Sequence, residues 1–503
     1  MTDSYDIIII GTGAGGGTLA YALAPTGKRI LLLEKGDYIP KEKANWDARA
    51  LYMDGRYRVD ENWLNRQNES FQPGLYHRVG GNTKVYGAAL LRMRERDFEA
   101  VEHAGGLSPA WSLKYKDFEP FYAEAEALYK VHGQRGEDPT EPTASSEFPF
   151  SSLPHEPRIQ TVANQLQQQG LQPFSLPMGI DRTPADPRNS PCIRCETCDG
   201  YPCLLNAKAD AQTCCVDKAS QYENVTLLTN AQVDRLIPNA SGRKIQSVDV
   251  TVNGVRQNVS GDVVVVACGA INSAALLLRS ACDQYPDGLA NTSGLVGRHF
   301  MKHIASKLFA IAPAENNTVF QKTLAVNDFY FESEAAPFPL GHVHLMGKHQ
   351  WQMMRPDFPT WMPKAALKLL SHHSVDWWMQ TEDLPNPDNR VAIEANGQIK
   401  VDYQPNNVEA HRRFKQVFKK TLKQAGFPLV IESSVPLKVL NHQLGTCRFG
   451  PDPETNVLDL NCCTHDIGNL YVVDSSFFPS SSAVNPTLTI VANALRVAHH
   501  LKK

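Results

Sequence analysis

The stretch that limits this chain most is its beginning, where DIIIIGTGAGGG runs from Asp6 to Gly17 and a second apolar run, LLLE, closes at Glu34. Asp6 to Ile10 read as a strand buried on both faces, Thr18 to Ala24 as a helix and Arg29 to Glu34 as the next strand. Together they make a βαβ unit whose glycines have separate jobs. Gly11 allows the tight turn, Gly13 lets backbone approach a pyrophosphate, and Gly16 lets helix and strand pack closely, so the helix N-terminus faces phosphate. Glu34 falls where an acidic side chain accepts from a ribose hydroxyl. A bare GxGxxG is often only a glycine-rich turn; the flanking strand and acid make this one a dinucleotide signal.

At 503 residues the chain exceeds one compact core, and length alone suggests about two or three domains with room for a cleft between them. Lys and Arg total 50 against 53 Asp and Glu, and no basic block points to nucleic acid or a membrane surface. The apolar run at Ile7 to Ile10 is too short for a signal peptide and no stretch reaches transmembrane length, so the chain reads as cytoplasmic. Eleven cysteines in such a chain argue for thiols or metal ligands over a disulfide framework. Glu137 to Pro154, rich in Pro, Ser, Thr and Glu, reads as a surface loop.

The next signal is HRVGGNTKVYG, from His77. Gly80 and Gly81 let backbone lie against a flat ring, with Asn82 and Thr83 as short polar neighbours, although GG before a polar pair is also an ordinary turn. A helix follows around Asp117 to Tyr129, with Pro120 in its first turns. Cys192, Cys195, Cys198 and Cys203 then crowd into PCIRCETCDGYPC, ahead of Cys214 and Cys215. Such thiolates suit an iron–sulfur cluster or zinc, but the spacing matches no ferredoxin run, and thiols that merely pack stay open as a reading.

Asn224 to Arg235 reads as a strand and its exit, and Lys244 to Val252 pairs with Val255 to Val259 across Asn253-Gly254. DVVVVACGAINSAALLLRS, Asp262 to Ser280, is a second buried strand, turn and helix. From Lys307 to Pro436 aromatics, prolines and histidines rise, and segments such as Leu324 to Phe331 and His342 to Met346 suggest an antiparallel sheet with one face toward a cavity. Trp351, Trp361, Trp377 and Trp378 fall here, each as readily core as ligand platform. The end of the chain holds His442 before Gly445, a buried strand ending at Asp474, and Asn485-Pro486 opening a helix to Leu501. A capping role is the plain reading of Asn485.

These pieces resemble the glucose–methanol–choline (GMC) family of FAD-dependent alcohol oxidoreductases. GTGAGGGTLAYAL with Glu34, VGGNTKVYG, VVVVACGAINSAALLLRS, VGRHFMKH, EDLPNPDNRV, HQLGTCRFGPDP and NLYVVDSSFFPSSSAVNPTLTIVANAL stand in the family's order along nearly the whole chain. The resemblance implies an α/β fold: a Rossmann-like FAD-binding domain over 1–306, with a Cys-rich segment at 191–215, and an interleaved α+β substrate domain on an antiparallel sheet over 307–436. Residues 437–503 return to the FAD domain. It implies that Gly11, Gly13, Gly15, Gly16 and Glu34 hold the ADP half, that Val233 meets the adenine through its backbone, and that Gly80, Gly81, Asn82 and Thr83 lie along the flavin and pyrophosphate. Asp474 comes near the pyrophosphate and ribityl chain, and Asn485 and Thr487 near the ring.

By the same resemblance His442 and Asn485 are the active-site pair. Val85 and Tyr86 stand where some members attach the flavin through His, so FAD is expected without that link. Ala274 and Ala281 depart from the family's second signature. The cysteine cluster is similar to that of members carrying an iron–sulfur centre, apart from its spacing. The implied activity is oxidation of an alcohol or sugar-like substrate, with proton abstraction by His442 and hydride transfer to flavin, in a dehydrogenase more than an oxidase. The acceptor is a quinone, a carrier protein or dioxygen. A flavoprotein that only relays electrons is the alternative.

Overall fold

The computed structural model describes residues 4–183, 186 and 188–503. Its first layer grows from the βαβ unit. Strand β1 (Ser4–Ile10) lies parallel to β2 (Ile30–Leu33), with Ile7 opposite Ile30 and Ile10 opposite Leu33. Ile7 to Ile10 and all of β2 are buried, as a parallel sheet covered on both faces requires. Burying each such side chain contributes roughly 1.5–3 kcal/mol, enough for this run to fix the centre of the sheet. The intervening helix α1 spans Ala14–Leu23, starting at the glycines and not at Thr18. Glycine's poor helix propensity misplaces that start in the sequence; tight packing, described below, overrides it.

Asn224 to Arg235 is two strands, β3 (Val225–Leu228) on the outer side of β2 and β4 (Ala231–Pro238), broken where Asn230 takes φ 50°. Strand β5 (Ile245–Val252) turns into β6 (Val255–Val266) through Asn253 (φ 48°) and Gly254 (φ 82°), the two left-handed residues of a tight hairpin. Strand β6 is long enough to serve twice. Its first residues pair antiparallel with β5, its last lie parallel to β1 on one side and to Leu470–Val472 on the other. The sheet order is β3-β2-β1-β6-β5-β4.

The second layer is a six-stranded sheet, wholly antiparallel, in the order β11 (Leu429–Ser434), β7 (Ile304–Ile311), β10 (Ser374–Thr381), β9 (His342–Leu345), β8 (Leu324–Val326) and Phe174–Ser175. Strand β8 stops short of Phe331 because Asn327 begins a turn, its carbonyl accepting from Tyr330 N–H. Every residue of β10 is buried. Its two-residue period divides it by environment. Trp377 and Met379 pack with Phe414 and Phe418 of the helix Val408–Gln424, Trp377 lying 5.1 Å from Phe418 edge to face. Trp378 and Gln380 point the other way, toward the C-terminal return of the chain.

Elsewhere, residues 134–149 carry no helix or strand, and the helix around Pro120 runs Tyr115–Leu128. No described helix is long and apolar enough to cross a membrane.

Candidate active site

The glycine loop is built around contacts too close for any side chain. A Cβ on Gly16 would meet the Gly11 carbonyl oxygen at 2.0 Å, and one on Gly15 would meet that of Val473 at 1.9 Å. Gly13 differs: nothing lies within 4 Å of its missing Cβ, so this glycine borders open space in front of α1. No side chain caps α1, whose first-turn amides face that space. Glu34 closes one side: its carboxylate accepts from Thr12 N–H (3.2 Å), Thr12 Oγ1 (2.5 Å) and Gly36 N–H (3.0 Å), and burial raises its pKa.

The second glycine segment comes to the same place. Gly80 N–H donates to Thr12 Oγ1 (3.1 Å), and Gly81 lies so near that its Cβ would be 3.2 Å from Gly13 Cα. Thr83 hydroxyl donates to Gly80 O, and Asn82 Oδ1 accepts from Tyr76 N–H. Val233 lies on β4, whose Ala231 N–H donates to Glu34 O, at the Glu34 end of the cradle. Asp474 is a scaffold here: its buried carboxylate accepts from Gly269 N–H, Ser273 Oγ, Ser476 N–H and Ser476 Oγ, joining three segments behind Gly15. These residues fit an extended dinucleotide, with a bare glycine and free helix amides where the phosphates pass.

His442 and Asn485 each reach strand β10 of the second sheet, His442 through the ring of Trp378 at 6.3 Å and Asn485 through Gln380. His442 sits at φ 56°, a strained conformation for a non-glycine residue, and its Nδ1 is 3.0 Å from Nδ1 of the buried His303. The other ring nitrogen of His303, Nε2, is 3.1 Å from the Ser481 carbonyl, which only accepts. His303 Nε2 therefore carries a proton. Burial pushes His303 down to about 4, so it is neutral near pH 7 and its Nδ1 is bare. The proton between the rings then belongs to His442 Nδ1, and His442 Nε2 keeps a free lone pair. Burial, His303, His344 and Lys302 hold His442 well below the ordinary imidazole value.

Asn485 does not cap the last helix. That helix spans Thr487–Leu501 with Pro486 at its N-cap and no capping side chain, because the Asn485 carboxamide is turned to Gln380, whose Nε2 is 3.4 Å from its Oδ1. Thr487 is the first helical residue. The segment between is clamped: Ala483 N–H donates to Tyr330 Oη (3.1 Å), Ala483 O accepts from Gln380 Nε2 (2.7 Å), and Ser481 Oγ donates to Asp383 O (2.9 Å). His303, Ser481 and Gln380 were not singled out by the sequence. His303 lies in the VGRHFMKH motif, but nothing local marks it as a partner of a residue 139 positions away.

The metal expectation is corrected. Among the described residues no group of three or more His, Cys, Asp or Glu side chains is arranged to hold a metal ion. Cys192, Cys195, Cys198 and Cys203 lie near one another without forming such a group: Thr197 hydroxyl donates to Cys195 Sγ and Ala207 N–H to Cys203 Sγ, while burial pushes the Cys192 thiol up to about 11.

The chain matches known proteins along most of its length. The N-terminal part of GMC oxidoreductases matches residues 5–305 and the C-terminal part residues 337–494. Paromamine 6'-oxidase of Streptomyces fradiae is 30% identical over 98% of this chain and 90% of its own. The fructose dehydrogenase large subunit of Gluconobacter japonicus is 26% identical over 99% and 97%. Among solved structures, pyridoxine 4-oxidase from Mesorbium loti covers 99% of both chains at a TM-score of 0.69 and 19% identity, which is a likeness of fold. Two matching family segments that together span most of the chain make it a member of the GMC oxidoreductases, FAD-dependent enzymes that act on CH–OH donors.

Proposed function

We propose that this enzyme oxidises a hydroxyl of a polyhydroxylated, sugar-like alcohol, with His442 as the base and Asn485 as the hydrogen-bond donor to the reacting oxygen. The observation that carries the reading is the chain from His442 Nδ1 through His303 to the Ser481 carbonyl, which sets the tautomer of His442 and leaves its Nε2 lone pair free. Gly11, Gly13, Gly15, Gly16, Glu34, Gly80, Gly81, Asn82, Thr83 and Val233 would hold FAD, with Asp474 bracing the cradle and Asn485 and Thr487 at the ring end. FAD, when bound, supplies the acceptor for the hydride that leaves the carbinol carbon.

The chain's own residues do the rest. His442 Nε2 takes the hydroxyl proton, and a base in place contributes about 10²–10⁴ in rate. The carboxamide of Asn485 cannot titrate; its N–H bonds to the oxygen as negative charge grows there, help of the kind worth about 10²–10³ at a developing oxyanion. Two relatives carry names with polyhydroxylated substrates, paromamine and fructose, which supports the substrate class.

Anaerobic mixing of the purified holoenzyme with a panel of sugars, polyols, simple alcohols and sterols tests the reading. Polyols or sugars bleach the flavin. A flavin that none of them bleaches points instead to the electron-relaying alternative. Relatives include an oxidase and a dehydrogenase, and with no metal grouping at the cysteines the acceptor is decided by oxygen consumption with and without an artificial acceptor.

A further inference from the structure

We infer that Gln380, locked by Trp378, is a positioning residue that aims the Asn485 amide, so that Asn485 presents N–H rather than C=O to the substrate oxygen. The inference rests on the proposed role of Asn485 and adds residues that do not touch substrate.

One group here has a fixed hydrogen-bonding role. The indole N–H of Trp378 can only donate, and it lies 2.8 Å from Gln380 Oε1. That end of the Gln380 carboxamide is therefore the oxygen. The other end, Nε2, is 2.7 Å from the Ala483 carbonyl, which can only accept. Two partners of opposite and fixed character thus agree on one orientation of a side chain that is fully buried. Flipping it would set indole N–H against amide N–H and carbonyl against carbonyl, with no water to compensate.

The second hydrogen of Gln380 Nε2 is left for Asn485, at 3.4 Å, and only an oxygen can accept it. Asn485 Oδ1 faces Gln380, and its Nδ2 faces away. Without this relay the two ends of Asn485 are of nearly equal shape, and the wrong one would set a carbonyl against a developing alkoxide. The relay is also tied to the neighbouring base, since the Trp378 ring lies 6.3 Å from that of His442 edge to face. Residues on one face of β10, Trp378 and Gln380, thereby set the orientation of a group on the far end of the chain.

A double-mutant cycle on the holoenzyme tests this. Gln380→Met is made in the native and Asn485→Ala backgrounds, and FAD content, melting temperature and the limiting rate of anaerobic flavin reduction are measured with the best alcohol from the panel. Gln380→Met is expected to keep FAD and to slow limiting reduction by about 10- to 100-fold, with a smaller change in substrate affinity. In the Asn485→Ala background the further loss is at most about twofold, because there is no amide left to aim. Equal losses in the two backgrounds, or no loss in the native one, overturn the relay while leaving the role of Asn485 standing. An Asn485→Ala variant that reduces at the native rate overturns both. Should Gln380→Met not accumulate as folded holoenzyme, the isosteric Gln380→Glu carries the same cycle.

Discussion

At the scale of single residues the account depends on where one proton sits. His442 acts as a base only while Nε2 is bare, so its activity is present above its pKa and lost as pH falls through it. Burial and the neighbouring His303, His344 and Lys302 lower that pKa well below the ordinary value of 6.5. The limiting rate of flavin reduction should therefore hold steady through pH 6.5 and fall only in clearly more acid solution. A profile that breaks at or above 6.5 contradicts the lowered imidazole. Asn485 has no proton to lose, and Asn485→Ala should slow reduction by about 10²–10³ without moving the profile. The tautomer argument needs His303, yet no signal in the sequence names it. A histidine pairs through space, and spacing along the chain does not report such a pair.

At the scale of elements, the glycine loop separates what the fold needs from what the cofactor needs. Gly15→Ala drives a methyl into the Val473 carbonyl, 1.9 Å from where the Cβ would stand, and should destabilise the apoprotein. Gly13→Ala meets nothing within 4 Å, so the apoprotein should melt as the native chain does while FAD binding weakens. Equal melting losses in the two variants would contradict the assignment of open space at Gly13 to the cofactor.

The helix Val408–Gln424 offers a second test. His411 fastens it to the second sheet: its Nε2 is 2.8 Å from Ser306 Oγ on β7, and its Nδ1 is 3.0 Å from Thr381 Oγ1 on β10. Burial pushes His411 down to about 3, so as pH falls the unfolded chain binds the proton first. Stability that is fully present above pH 6.5 is lost as pH falls toward about 3. His411→Gln should make stability, measured by urea unfolding between about pH 6 and 4, fall less steeply, by about 1.4 kcal/mol per pH unit. An unchanged slope would contradict it.

At the scale of the whole molecule, the candidate site draws its parts from distant stretches: His442 pairs with His303, and Gln380 with Asn485. The βαβ unit, the Asn253-Gly254 hairpin and the second strand–helix pair were legible in the sequence because each signal is local: a buried run, a turn residue, a glycine. The approach of Gly81 to Gly13 was expected only from the family resemblance, since Gly80-Gly81 before a polar pair reads locally as an ordinary turn. The start of α1 and the burial of β10 were not legible, since close packing of helix on strand and of Phe414 and Phe418 on Trp377 are tertiary facts that override local preference. Asn485 looked like a cap because Asn before Pro and a helix usually is one. Gln380, brought to it across 105 positions, gives its carboxamide another use. The cysteines misled in the opposite direction, being close in sequence without forming a ligand set among the described residues.

The most direct test of the central claim is anaerobic flavin reduction in His442→Ala, set beside its FAD content. The account predicts that the variant retains FAD and is reduced by substrate about 10²–10⁴ times more slowly than the native enzyme. Retained FAD with reduction at the native rate would contradict it.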